Sequence, residues 1–84
     1  MILTNILKRD IIFLMKELTT AADIGELIKM LRLNQGLSQA QLAEQAGLSR
    51  PTLTYIEMGH NSPHLDTLLR LFRELGVKIY IDKE

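Results

Sequence analysis

Residues 36–60, GLSQAQLAEQAGLSRPTLTYIEMGH, hold two short helical patterns joined by a glycine turn. Ser38 stands directly before the first pattern and Ser49 directly before the second. A serine hydroxyl in that place accepts a hydrogen bond from a backbone N–H that the first turn of a helix leaves without a partner. Helices are therefore expected over 39–46 and 50–58. Between them runs Ala46-Gly47-Leu48-Ser49, where Gly47 suits the left-handed conformation that closes one helix and Leu48 staples the entry of the next to the core. Pro51 falls in the first turn of the second helix, where its missing N–H costs no bond. Ala43 is small where the two helices approach, and Leu42, Leu53 and Ile56 are spaced to fill the core beneath. Taken alone, such a pair would also suit a small all-helical bundle.

Outward from this stretch the same kind of pattern continues. Ile24, Leu27, Ile28 and Leu31 share one side of a helix expected from about Asp23 to Asn34, with Gly36 available to stop it, and another helix is expected over roughly 65–75. Residues 1–20 place Leu3, Leu7, Ile11, Leu14 and Leu18 in a stripe, with Lys8, Arg9, Lys16 and Glu17 off it. This predicts an amphipathic helix beginning near Thr4 or Asn5 and interrupted by Thr19 and Thr20. At the other end Val77, Ile79 and Ile81 alternate with Lys78, Tyr80 and Asp82, which is a strand pattern. A solitary strand leaves its backbone groups unpaired, so Val77, Ile79, Tyr80 and Ile81 are expected to pair antiparallel with the same strand of a second chain. The expected fold is all-α, five helices with a short C-terminal strand, divided into an N-terminal helix (1–20), a helical domain (21–76) and a dimerisation strand (77–84).

Composition narrows the chemistry. The 84 residues contain no cysteine, which removes disulfides, thiolate metal sites and thiol catalysis and suits a reducing, cytoplasmic setting. His60 and His64 cannot build a metal site by themselves, and neither a phosphate-cradling glycine loop nor a Ser/His/acid spacing is present, so no enzyme and no cofactor are expected. The longest apolar run, Ile11–Met15, is too short to span a bilayer. Ten basic residues balance ten acidic ones, yet Glu57 is the one acid between Gln45 and Pro63, so a neutral whole can still carry one face that suits an anion.

From Ile24 to Val77 the chain resembles the Cro/cI-type (Xre) helix-turn-helix family, with its lambda-repressor-like fold. The resemblance lies in GLSQ-x-x-LA, AGLSR-x-T, IE-x-G and L-x-TLL-x-L. It implies a dimeric transcriptional repressor of double-stranded DNA with a palindromic operator. Carried over position by position, Ser38 and Gln39 match phosphate contacts at a helix N-terminus. Arg50, Pro51, Thr54 and Tyr55 match base-facing positions of the recognition helix, where Arg50 can grip guanine and Pro51 offers apolar contact, for instance to a thymine methyl. Ser49, Thr52, His60 and Asn61 fall in the DNA-facing set as helix-opening and backbone-positioning residues, with simple solvent exposure the alternative for His60 and Asn61 and a partly buried ring the alternative for Tyr55. Arg32 and Glu57 match an ion pair that ties the first core helix to the end of the recognition helix.

Four features depart from the minimal domain. Leu27, Met30 and Leu33 add an apolar stripe that needs a cover, for which residues 4–18 are suited, from the same chain or a second one. His64 stands where serine usually caps the last helix, leaving Ser62 or Asp66 to help. The N-terminal stripe lies outside the family pattern, and the run VKIYID, entered directly from the last helix, resembles HipB-type antitoxins. That likeness implies an antitoxin that represses its own operon and binds a kinase-like toxin, with Arg70, Arg73 and Glu74 as surface for the partner. The alternative is a stand-alone Xre-family repressor.

Overall fold

Thr20 adopts an extended backbone and its hydroxyl accepts the Asp23 N–H at 3.2 Å, while the Asp23 carboxylate takes the N–H groups of Thr20 and Thr19 at 3.0 and 2.9 Å. This reciprocal cap starts the first helix two residues earlier than the apolar spacing suggested, because Asp23 is the third residue of the helix and not its first. The structure, a computed structural model, describes residues 17–60, 62–81 and 83. Among them are four helices: α1 (Ala21–Asn34), α2 (Gln39–Ala46), α3 (Arg50–Glu57) and α4 (Leu65–Glu74).

Ser38 opens α2 in a second reciprocal cap, accepting the Gln41 N–H at 3.0 Å and giving its own N–H to Gln41 Oε1 at 2.8 Å. Ser49 opens α3 by accepting the Thr52 N–H at 3.2 Å. His64 holds the cap position of α4 without a side-chain bond, leaving Asp66 as the acid of its first turn. The turn between α2 and α3 closes at Gly47, φ +70°, where the Leu48 N–H reaches back to the Ala43 carbonyl at 2.8 Å. A side chain at Gly47 would be strained by that left-handed backbone. The other three helices end in the same pattern, through Leu37 to Arg32, His60 to Tyr55 and Val77 to Phe72. Short helices with such closed ends leave few backbone groups for water to satisfy.

Ile28, Leu42, Leu53 and Leu71 are fully buried, one from each helix, and Ala43, Ala46, Ile56, Phe72 and Leu75 complete the core. Each of the four large side chains contributes about 1.5–3 kcal/mol by leaving water. Helix α3 is held by both α1 and α2, while α4 packs against α2. Contact with α1 is unusually close. A Cβ at Gly25 would fall on the Ile56 carbonyl oxygen and 2.8 Å from that of Glu57, so glycine is what lets the two backbones meet. Gln35 ties the end of α1 to the Leu75 carbonyl after α4 at 2.5 Å.

One expectation lies outside the described residues and one changes. The N-terminal helix, and with it the count of five, lies outside the described residues apart from Glu17 and Leu18, which are not helical. No strand forms among the described residues: Val77, Ile79, Tyr80 and Ile81 make no ladder within the chain, because a strand exists only through its partner. Val77 packs against the core, whereas Tyr80 and Ile81 are exposed. Of the apolar stripe on α1, Leu27 belongs to the core margin, and Met30 and Leu33 stay more than half exposed, at 56% and 57%. No helix among the described residues is long and apolar enough to cross a membrane.

Candidate nucleic-acid interface

The recognition helix has two charged side chains, Arg50 exposed at its start and Glu57 buried at its end. Glu57 is gripped by Arg32, whose Nε and Nη2 donate to the two carboxylate oxygens at 2.7 and 3.0 Å, a fork that matches the carboxylate's geometry. The remaining guanidinium nitrogen, Nη1, donates to the Leu37 carbonyl at 2.9 Å, so Arg32 also holds the loop that leads into α2. Both side chains are buried, and in that setting each depends on the other for its charge.

Gln39 joins this pair to the reading face. Its Nε2 donates to Glu57 Oε1 at 3.1 Å, and its Oε1 accepts the Thr54 hydroxyl at 3.1 Å. Thr54 Oγ1 also lies 3.0 Å from the Arg50 carbonyl, one turn back on α3. One continuous set of bonds therefore runs from the Leu37 carbonyl through Arg32, Glu57, Gln39 and Thr54 to the first turn of the recognition helix. Its effect is to fix the tilt of α3 against α1 and α2 and leave the side chains of Arg50, Pro51 and Tyr55 outside the network.

On that outer face Arg50, Pro51, Thr54 and Tyr55 line one open hollow of about 430 Å³ together with Gln39. Tyr55 is half exposed, at 51%, so its ring belongs to this face and not to the core. Thr52 is exposed, its hydroxyl 2.7 Å from that of Ser49. Ser38 and His60 are exposed as well, and Asn61 lies outside the described residues. Gln39, expected on the phosphates, is half-buried and has both ends of its amide engaged inside the protein. Two features escaped the sequence: Gly25, whose signal was a lone glycine inside an apolar helical pattern, and the threefold occupancy of the Glu57 carboxylate.

A second hollow, of about 550 Å³, is bordered by Leu69, Phe72, Arg73, Val77, Ile79 and Tyr80. Here Arg70 departs from expectation. It is half-buried, its Nε has no hydrogen-bond partner, and its Nη1 would lie 3.4 Å from a Cβ placed at Gly47, so it lies along the α2–α3 turn instead of pointing outward. Arg73 and Glu74 are exposed.

A capped recognition helix, propped from behind and open in front, defines a helix-turn-helix protein. Residues 28–81 match the family model described as Helix-turn-helix. The chain belongs to this Xre-type helix-turn-helix family. It is 41% identical over 56 residues to the immunity repressor protein of Bacillus phage phi105, a match covering 67% of this chain. It is also 41% identical over 58 residues to an uncharacterized HTH-type transcriptional regulator of Haemophilus influenzae, covering 69% of this chain. The matched stretches span 39% and 58% of those two relatives. Among solved structures, the restriction-modification controller protein C.AhdI of Aeromonas hydrophila is 31% identical with a TM-score of 0.67, over 69% of this chain and 88% of its own. The biofilm master regulator SinR, solved in complex with DNA, is 34% identical with a TM-score of 0.62, over 66% and 89% of the two chains. HipB in an O2 20mer complex shares the fold at a TM-score of 0.74 and 19% identity, over 82% and 96% of the chains, and HipB is also seen in a HipA-HipB-O2-O3 complex.

Proposed function

We propose that the chain is a sequence-specific DNA-binding transcriptional repressor that acts as a homodimer on a palindromic operator. The observation that carries this reading is the outer face of α3, where Arg50, Pro51, Thr54 and Tyr55 share one hollow on a helix held from behind by a buried ion pair. Arg50 supplies a bidentate donor suited to guanine O6 and N7, while Ser38, Ser49, Thr52 and His60, with Asn61 next in sequence, are the positioning contacts to the phosphates. The two recognition helices of a dimer would enter successive major grooves about 34 Å apart. Selection of binding sites from random duplex DNA tests the reading. A palindrome should be enriched, and Arg50→Ala should bind it more weakly and with relaxed preference at one base pair per half-site. Unchanged affinity of Arg50→Ala for that palindrome would remove Arg50 from the reading set.

The finer reading is that the repressor is the HipB-like antitoxin of a type II toxin–antitoxin system, restraining a kinase-like toxin and repressing its own operon. What favours it is the tail that follows α4, where exposed Ile79 and Tyr80 border an apolar hollow suited to a second copy, together with the likeness of fold to HipB over most of both chains. Arg73 and Glu74 are the exposed residues of α4 that a toxin could meet without covering the DNA face. Co-expression with the product of the adjacent gene decides between the two readings. An antitoxin relieves that product's toxicity and co-purifies with it, whereas a stand-alone repressor does neither.

A further inference from the structure

Thr54 has one hydroxyl proton, and the protein itself takes it. Its Oγ1 sits 3.1 Å from Gln39 Oε1 and 3.0 Å from the Arg50 carbonyl. Gln39 cannot swing away without giving up its bond to Glu57 Oε1 at 3.1 Å, and Glu57 is itself held by the Arg32 fork. With its proton held between α2 and its own helix, Thr54 has no donor left for a ligand, and beside the acceptor oxygen the apolar group it offers is its methyl. Thr54 nevertheless borders the open hollow, beside the exposed Pro51 and the guanidinium of Arg50. A threonine free to rotate would offer its hydroxyl to almost any base, so the lock narrows what this position can recognise.

The major groove presents one apolar group, the methyl at carbon 5 of a pyrimidine, carried by thymine or by 5-methylcytosine, and guanine presents the paired acceptors that suit arginine. We propose that this hollow reads a pyrimidine 5-methyl group next to a guanine. Thr54 and Pro51 form the methyl seat, Arg50 reads the guanine, and Gln39 is a positioning residue that keeps the Thr54 hydroxyl out of the groove. This rests on the chain being a sequence-specific DNA binder and says which chemical step in the operator it reads.

The test begins with a palindrome selected from random duplex DNA by the full-length chain. Each thymine is then replaced by deoxyuridine, which removes the methyl alone, and each cytosine by 5-methylcytosine, which adds it. One replacement per half-site, adjacent to the base pair whose preference Arg50→Ala relaxes, should change affinity about fourfold for each methyl group, and so about fifteenfold for the two half-sites together. A loss with deoxyuridine assigns the methyl to thymine, and a gain with 5-methylcytosine assigns it to modified cytosine. Thr54→Val, which keeps a methyl, should retain the effect; Thr54→Ser, which keeps the hydroxyl, should lose most of it; and Gln39→Ala, which removes one of the hydroxyl's two acceptors and leaves the Arg50 carbonyl, should blunt it in part. If a palindrome is selected but no methyl change alters affinity, or the effect survives intact in Thr54→Ser combined with Pro51→Ala, the methyl seat is wrong while DNA binding stands. If no site is selected at all, both readings fall together.

Discussion

At the scale of single residues, Glu57 is the place where the interface is most sensitive. Its carboxylate accepts from Arg32 Nε, Arg32 Nη2 and Gln39 Nε2, and it is buried. Glu57→Ala leaves the Arg32 guanidinium without its counter-charge, a loss of roughly 3–5 kcal/mol for a buried pair. A domain of this size has a total stability on the order of 4–12 kcal/mol, at about 0.05–0.15 kcal/mol per residue, so urea denaturation should show much of it gone. Arg32→Met combined with Glu57→Leu should be more stable than either single change, since it removes both charges and fills the space. Arg50→Ala, on an exposed side chain, should leave the urea midpoint in place and act on DNA alone. Serine caps and the outward residues of α3 were legible in the sequence because each follows from local spacing. The second bond of Gln39 to Thr54 was not, since nothing in a one-dimensional pattern shows that the start of α2 faces the middle of α3.

At the scale of helices, the contact between α1 and α3 depends on the missing side chain at Gly25. Gly25→Ala gains about 1 kcal/mol of helix propensity but drives a methyl into the Ile56 and Glu57 carbonyls. Those are backbone atoms, so the helices must part. Overpacking of this kind costs about 1–3 kcal/mol or more, and the net expectation is a lower melting temperature with a larger loss in operator affinity than the stability change accounts for. His64→Ser goes the other way. His64 makes no capping bond, and a serine there should stabilise α4 by about 0.5–1 kcal/mol, read as a rise in melting temperature of about 4–8 °C per kcal/mol. The expected helices over 39–46, 50–58 and 65–75 agree with the structure to within a residue at each end, because serine caps mark the first two starts and glycine stops follow all three ends. The start of α1 was misplaced because the apolar periodicity begins later than the Thr20–Asp23 cap. Gly25 went unread because its reason lies in another helix.

At the scale of the whole molecule, charge and assembly set how the protein meets DNA. Ten basic and ten acidic residues leave no net attraction, so affinity should fall less steeply with salt than for a basic repressor, checked as the slope of log affinity against log salt. Deleting residues 78–84 removes Ile79, Tyr80 and Ile81 but no member of the core. The truncated chain should keep its helical spectrum, sediment more as monomer and lose most of its affinity for a palindrome; if it sediments as the same dimer, the tail is not the interface. Within each copy, the bonds running from Leu37 to the Arg50 carbonyl span α1, α2 and α3. Groups sharing one network do not act additively, so a substitution at Arg32, Gln39, Thr54 or Glu57 changes what its neighbours tolerate. Pro51 and Tyr55 carry none of these bonds, and the Arg50 side chain stands outside them. Divergence toward a new operator is therefore historically ordered: the three outer positions drift one at a time, while Gln39 and Thr54 become open to change only in lineages that have already altered a partner.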